Sequence, residues 1–189
     1  LEFRRVLFRS PETGRPTPQG EIGMIEVKGP NVFKGYWRMP EKTSEEFTAD
    51  GWFKTGDVGR FGGAIVSQAG ERKVPDGYLT IVGRSKDLII SGGYNVYPKE
   101  IESFIDEMPG VVESAVIGVP HADFGEVGFA FVVAQPGVTL QAGALLGSLK
   151  QQLAAFKVPK HCKVVEELPR NALGKVQKNL LREQAKTTL

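Results

Sequence analysis

Apolar and polar residues change their spacing partway along the chain. They alternate over Glu21–Lys28, and Tyr78–Val82 is another short apolar run, so both segments are predicted to be strands. Pro40–Phe47 is predicted to be a short helix. After Lys99 the apolar residues take the i, i+3, i+4 and i+7 spacing of one helix face: Ile101, Phe104, Ile105 and Met108. The change predicts two folded bodies that meet near Lys86.

The second body is predicted to contain three strands and three helices. Val111–Val119 and Val127–Ala134 are apolar runs that predict adjacent strands, and Cys162–Val165 predicts a final strand. A second amphipathic helix is predicted over about Leu140–Leu153, and a third is predicted to begin near Val176. These elements indicate an α+β fold, in which a small β-rich part is followed by a compact α+β domain.

A charged segment and a glycine turn lie between the two predicted bodies. Arg84, Lys86 and Asp87 fall within four residues, and Leu88–Ile90 follows as a strand-like run. The Ser91-Gly92-Gly93 turn ends this run, because paired glycines permit backbone angles that other residues avoid. The order suggests a joint between two bodies with a turn that faces a ligand.

The composition is that of an ordinary globular protein, with 41% hydrophobic and 24% charged residues. Cys162 is the only cysteine, which excludes an intrachain disulfide and a cysteine-rich metal site. With only two histidines, His121 and His161, no metal ligands are predicted in this chain. No apolar run approaches the roughly 20 residues that a membrane span needs.

Charge is distributed unevenly although the net charge is only +2. Residues 86–149 contain two basic and eight acidic residues, whereas residues 150–189 contain nine basic and three acidic ones. The basic segment could bind the phosphates of a nucleotide or of CoA, or it could be a solvated face. Nucleic acid is not an expected partner, since no aromatic-rich basic strand is present.

Four motifs occur in an order that is typical of one enzyme superfamily. They are Gly51-Trp-Phe-Lys-Thr-Gly-Asp57, Gly83-Arg-Ser-Lys-Asp87, Ser91-Gly-Gly-Tyr-Asn-Val-Tyr-Pro98 and Pro169-Arg-Asn-Ala-Leu-Gly-Lys175. Over roughly residues 11–184 the chain resembles the C-terminal part of the acyl-CoA synthetases of the adenylate-forming, AMP-binding superfamily, and among these the malonyl-CoA synthetases. Four ordered motifs are far more specific than a single glycine pattern.

The resemblance implies a two-step, ATP-dependent ligation of CoA to an acid in fatty acid metabolism. Malonate or another short carboxylate would attack ATP to give an acyl-adenylate and diphosphate, and CoA would then displace AMP. Asp57 and Arg84 would bind the ribose of ATP or AMP, and Lys175 would be the catalytic residue of adenylation. The turn Ser91-Gly92-Gly93 would line the pantetheine side of CoA, and Lys86 would be the hinge of domain alternation.

The chemistry of these side chains is compatible with such roles. The Asp57 carboxylate can accept hydrogen bonds from two ribose hydroxyls, although a turn aspartate is the simpler interpretation without the family. The planar guanidinium of Arg84 can bridge ribose and phosphate, and the flexible ammonium of Lys175 can reach a carboxylate and a phosphate. By contrast, Lys178 and Arg182 are interpreted as surface charge.

The same resemblance divides the chain into domains. Residues 1–10 match nothing in the family and are predicted to be a junction outside the fold. Residues 11–84 correspond to the end of the N-terminal AMP-binding domain, and residues 85–189 to a mobile C-terminal domain. Residues 62–75 depart from the family pattern and, with their glycines and mixed polarity, predict an inserted surface loop.

Parts of the expected enzyme are absent from the sequence. There is no Ser/Thr/Gly-rich phosphate loop followed by Pro-Lys-Gly, and no segment for an acyl pocket. We therefore expect a fragment that is inactive alone, in which a missing N-terminal domain would bind most of the ATP, CoA and Mg²⁺. We expect it in the cytoplasm, or in the mitochondrion of a eukaryote. The alternative is a non-enzymatic α+β module that binds a nucleotide or a protein.

Overall fold

The computed structural model describes residues 5–10, 13–67 and 70–188, and these form two compact units. One unit comprises Leu1–Ile65 with Arg72–Lys86, and the other comprises Val66–Glu71 with Asp87–Leu189. The α+β class predicted from the sequence is confirmed. No helix in the described part of the chain is long and apolar enough to cross a membrane.

The first unit is built on a four-stranded sheet in the order β1-β2-β3-β4. The strands of this sheet are β1 (Arg5–Arg9), β2 (Gly23–Lys28), β3 (Phe53–Ser67) and β4 (Gly70–Arg84), and β2 runs antiparallel to both β1 and β3. Residues 66, 67, 70 and 71 of β3 and β4 are assigned to the second unit. Helix α1 (Pro40–Glu46) begins at a proline, whose fixed φ suits the first helical turn. The strand predicted at 21–28 and the helix predicted at 40–47 are confirmed.

The segment 62–75 is not a surface loop, so that prediction was wrong. Its described residues belong to the facing ends of β3 and β4, which are hydrogen-bonded neighbours in the sheet. The hydroxyl of Thr80 also donates to the carbonyl of Gly62 at 3.0 Å. Backbone groups alone can pair two strands. The polar and glycine-rich sequence of this segment therefore gave no side-chain signal for the hairpin.

The exclusion of residues 1–10 from the fold was also wrong for the part that the structure describes. Strand β1 pairs with β2 along its whole length, from Arg5 opposite Lys28 to Arg9 opposite Met24. Phe8 is only 8% exposed, and its ring meets that of Phe61 edge to face at 5.0 Å. An aromatic side chain at an alternating strand position can bury its area whether or not it matches a family motif.

The second unit consists of a five-stranded sheet with helices on both faces. In chain order its elements are β5 (Ile89–Ser91), β6 (Tyr94–Val96), α2 (Pro98–Asp106), β7 (Val111–His121), β8 (Gly125–Ala134), α3 (Ala142–Gln152), β9 (His161–Val165) and α4 (Lys178–Lys186). Strands β7 and β8 are antiparallel, and the other edge of β8 pairs with β5, which is antiparallel to it, and with β9, which is parallel to it. Strand β6 pairs with β5.

The sheet of the second unit separates two hydrophobic cores. Helices α2 and α3 cover one face, where Ile101, Phe104 and Leu149 are each at most 2% exposed. Helix α4 covers the other face, and its Leu181 is completely buried in the same core as Phe131. The three predicted helices are confirmed. The prediction of three strands was wrong, because the short hairpin of β5 and β6 raises the number among the described residues to five.

Candidate functional site

Asp57 and Arg84 form an ion pair in the first unit. The Nε atom of Arg84 lies 2.9 Å from Oδ1 of Asp57, although the two residues come from different strands, β3 and β4. Next to Asp57, Gly56 has a φ of +76°, a conformation that favours glycine. The hydroxyl of Thr55 accepts the N–H of Asp57 at 3.1 Å and donates to the carbonyl of Ile25 at 3.0 Å. The carboxylate is thus held at a fixed position but remains 27% exposed.

Lys86 lies at the end of the first unit. It belongs to a short 3₁₀ turn, Ser85–Asp87, and its side chain is exposed. The hydroxyl of Ser85 donates to the carbonyl of Gly56 at 3.2 Å, which ties the turn to the strand that carries Asp57. The division between the two units falls between Lys86 and Asp87.

The turn Ser91-Gly92-Gly93 connects β5 and β6. Gly92 and Gly93 have φ values of +56° and +82°, so glycine is required here for conformational reasons. The N–H of Gly92 donates to the carbonyl of Phe124 at 2.8 Å, and a Cβ on Gly92 would lie 3.3 Å from the Phe124 ring. The turn therefore lies against the β7–β8 connection.

A cavity of about 240 Å³ opens beside this turn. Ser91, Phe124, Phe156 and Lys160 contribute to its wall, so it combines aromatic rings with a cation. The ammonium of Lys160 lies 5.5 Å from the centre of the Phe124 ring. The ring of Phe156 in this wall also stacks on the ring of Tyr94, with the ring centres 4.6 Å apart. Such a lining can bind a planar ring and a phosphate.

Lys175 lies in an exposed loop between β9 and α4. The loop is closed by the backbone, since the N–H of Asn171 donates to the carbonyl of Lys175 at 2.9 Å. Gly174, with a φ of +76°, allows the chain to turn just before the lysine. At the start of the loop, the side chain of Arg170 forms an ion pair with Glu113 on β7.

The two predicted sites of the second unit lie at opposite ends of the β7–β8 pair. The loop of Lys175 is anchored near Glu113, which pairs with Val133. The glycine turn contacts Phe124, in the connection between His121 and Gly125 at the other end. Eight residues of strand separate Glu113 from His121, which corresponds to about 26 Å. The structure therefore does not bring Lys175 together with the turn.

One charged residue was misassigned from the sequence. Lys178 is not surface charge, because its ammonium lies 2.6 Å from the Glu102 carboxylate and only 18% of its side chain is exposed. Arg182 forms an ion pair with Asp87 at 3.2 Å. The one available signal was that Glu102 directly follows Ile101 on the apolar side of α2. Within the described ranges, no group of three or more His, Cys, Asp and Glu residues could hold a metal ion.

Comparison with known proteins identifies the family. Residues 100–175 match the AMP-binding enzyme C-terminal domain. A propanoyl:CoA ligase of Rhodococcus jostii, whose acid carries a methyl-dioxo-octahydroindenyl group, is 47% identical over 94% of this chain and 33% of its own length. A feruloyl-CoA synthase of Amycolatopsis is 45% identical over 96% of this chain and 34% of its own length.

Solved structures agree with this result. ATP-bound MatB from Rhodopseudomonas palustris is 57% identical, with a TM-score of 0.82, over 98% of this chain and 35% of the MatB chain. The chain thus spans about a third of the length of the relatives that it matches. It belongs to the acyl-CoA synthetases of the adenylate-forming, AMP-binding superfamily and corresponds to their C-terminal part.

Proposed function

We propose that this chain is the C-terminal part of an acid–CoA ligase that forms AMP and uses malonate or another short carboxylate. The family uses ATP and CoA and proceeds through an adenylate. The substrate proposal is supported by the 57% identity with MatB, a malonyl-CoA synthetase. Mg²⁺ would accompany the phosphates of ATP, outside the residues of this chain.

In the proposed mechanism Asp57 and Arg84 bind the ribose of ATP. The Asp57 carboxylate can accept hydrogen bonds from vicinal hydroxyls, since 27% of its side chain is exposed while its Oδ1 lies 2.9 Å from Nε of Arg84. Charge-assisted bonds of this kind are about twice as strong as neutral ones. The ion pair would also keep the carboxylate oriented before the nucleotide binds.

Lys175 stabilises the negative charge that develops when the carboxylate attacks the α-phosphate. Its side chain is exposed on a closed loop, so the ammonium can enter an active site that another part of the protein provides. The CoA step uses the Ser91-Gly92-Gly93 turn, beside which the cavity at Phe124 and Lys160 has a lining suited to the nucleotide end of CoA.

The observation that supports this proposal is the position of the two sites of the second unit at opposite ends of the β7–β8 pair, where Glu113 and His121 are about 26 Å apart along the strand. Lys175 and the glycine turn lie at opposite ends of one strand pair, so they cannot face the same reaction centre at the same time. A rotation of the unit about Lys86 would present them in succession, once for each half-reaction.

The chain alone would not catalyse either step, because it lacks the phosphate loop that the N-terminal domain would supply. Purified as 189 residues, it should show no carboxylate-dependent exchange between ATP and diphosphate. Such exchange in the isolated chain would contradict the division of labour proposed here.

The test is the substitution Lys175→Ala in the full-length enzyme, with each half-reaction measured separately. Adenylation should fall by about a hundredfold to a thousandfold, which is the usual effect of removing one preorganised electrostatic contact. Conversion of pre-formed malonyl-adenylate by CoA should stay near the wild-type rate. The exposed Lys186 is the matched control, and Lys186→Ala should change neither step. An equal loss in both steps would contradict the proposal.

A further inference from the structure

The Lys175 loop is stabilised by one side chain that acts as a hydrogen-bond acceptor at two points. Oδ1 of Asn171 accepts the N–H of Leu173 and the N–H of Lys175, each at 3.0 Å. The backbone N–H of Asn171 in turn donates to the carbonyl of Lys175. Both backbone polar groups of Lys175 are therefore bonded to Asn171.

Arg170 connects the same loop to the sheet. Its Nη1 donates to the carbonyl of Gly174 at 2.6 Å, and its Nη2 forms the ion pair with Glu113 on β7. The guanidinium thus bridges the residue directly before Lys175 and a strand of the core. Its planar shape suits this double contact, which a lysine could not reproduce.

Apolar packing contributes little to the position of this loop. Leu173 is 81% exposed, and residues 171–175 are all exposed. The polar contacts of Asn171 and Arg170 therefore constrain where the Cα of Lys175 lies, together with the backbone bridge between Arg170 and Val176. We propose that Asn171 and Arg170 are positioning residues that hold Lys175 in the geometry needed for adenylation. This inference rests on the adenylation role proposed above for Lys175.

The structural half of the inference can be tested on the 189-residue chain without any substrate. Amide hydrogen exchange of Leu173 and Lys175, read by NMR, should become about tenfold faster in Asn171→Ala, because each amide loses its acceptor. Asn171→Asp places a carboxylate oxygen where the amide oxygen lies and should preserve the protection. Unchanged exchange in Asn171→Ala would overturn the inference, whatever Lys175 does in catalysis.

The catalytic half is tested in the full-length enzyme. Asn171→Ala and Arg170→Gln should each lower kcat of adenylation by about tenfold to a hundredfold, because small displacements of a catalytic group are costly. The KM values for ATP and acid, and the CoA step from pre-formed adenylate, should change little. Asn171→Asp should have a kcat close to that of the wild-type enzyme. The control Lys186→Gln breaks an exposed ion pair and should leave kcat unchanged.

A double variant shows whether the effect passes through Lys175. If Asn171 acts only by positioning Lys175, Lys175→Ala/Asn171→Ala should be no slower than Lys175→Ala. Multiplied losses in the double variant would overturn the positioning role. A wild-type rate of adenylation in Lys175→Ala would instead overturn the proposed function, and the exchange data on the isolated chain would still decide whether the loop is held by Asn171.

Discussion

The ammonium of Lys178 lies 2.6 Å from Oε1 of Glu102, and the two side chains are only 18% and 9% exposed. Both partners make further bonds to the same residue of β7. The Glu102 carboxylate accepts the N–H of Val116 at 2.9 Å, and Lys178 donates to the carbonyl of Val116 at 3.0 Å. The first residue of α4 is thereby fixed to α2 and to the central sheet, three residues after Lys175.

Removal of the cation from this pair should destabilise the second unit. Lys178→Met leaves the Glu102 carboxylate buried without its counter-ion, a change that typically costs about 3–5 kcal/mol in the free energy of unfolding. Denaturant unfolding of the 189-residue chain measures it. The matched control is Lys186→Met, whose exposed pair with Glu183 should contribute less than about 1 kcal/mol. Equal stability of the two variants would contradict this account.

The same pair illustrates what the sequence could and could not predict. The face of α2 was predictable because Ile101, Phe104 and Ile105 follow a local spacing, and all three are buried. Lys178 and Glu102 are 76 residues apart, and no local pattern joins them. Periodicity reports which side of an element is buried, but it cannot report which distant charge lies against it.

Motifs and backbone pairing show the same limit in the candidate site. Asp57, Arg84 and Lys175 were identified through family motifs, and their surroundings were not. The hydrogen bonds of Asn171 and the contact of Arg170 with Glu113 depend on the folded path of the loop. Likewise, the hairpin of β3 and β4 is held by main-chain groups that every sequence possesses.

Phe8 should be needed for the stability of the first unit. Its side chain is 8% exposed and meets the ring of Phe61, so Phe8→Ala removes both buried area and an aromatic contact. We expect a loss of about 3 kcal/mol in the free energy of unfolding. Leu79 in the same sheet is 41% exposed, and Leu79→Ala should cost less than about 1 kcal/mol. A neutral Phe8→Ala would show that β1 is dispensable.

Cys162 should be a slow nucleophile in the folded chain. Burial raises the pKa of its thiol from 9.0 to about 11, because the thiolate is poorly solvated beside the core. At pH 8 only about 0.1% would be thiolate, so iodoacetamide should react roughly a hundredfold more slowly than with an exposed cysteine. The rate should increase with pH up to about 11. The stability of the fold should decrease between pH 9 and about 11, because the thiol of the unfolded chain ionises in this range while that of the folded chain stays protonated. Equal rates in the folded and the urea-unfolded chain would contradict this prediction.

The proposed contact between Asp57 and ribose can be tested with an altered nucleotide. In the full-length enzyme, replacing ATP by 2′-deoxy-ATP removes one hydroxyl that the carboxylate would bind, and kcat/KM should fall by about tenfold to a hundredfold. In Asp57→Ala this penalty should nearly vanish, since neither nucleotide can make the bond. Asp50 is an exposed carboxylate of the same unit, and Asp50→Ala should keep the full penalty. A penalty that persists in Asp57→Ala would mean that Asp57 only orients Arg84, and the ribose would then be bound elsewhere.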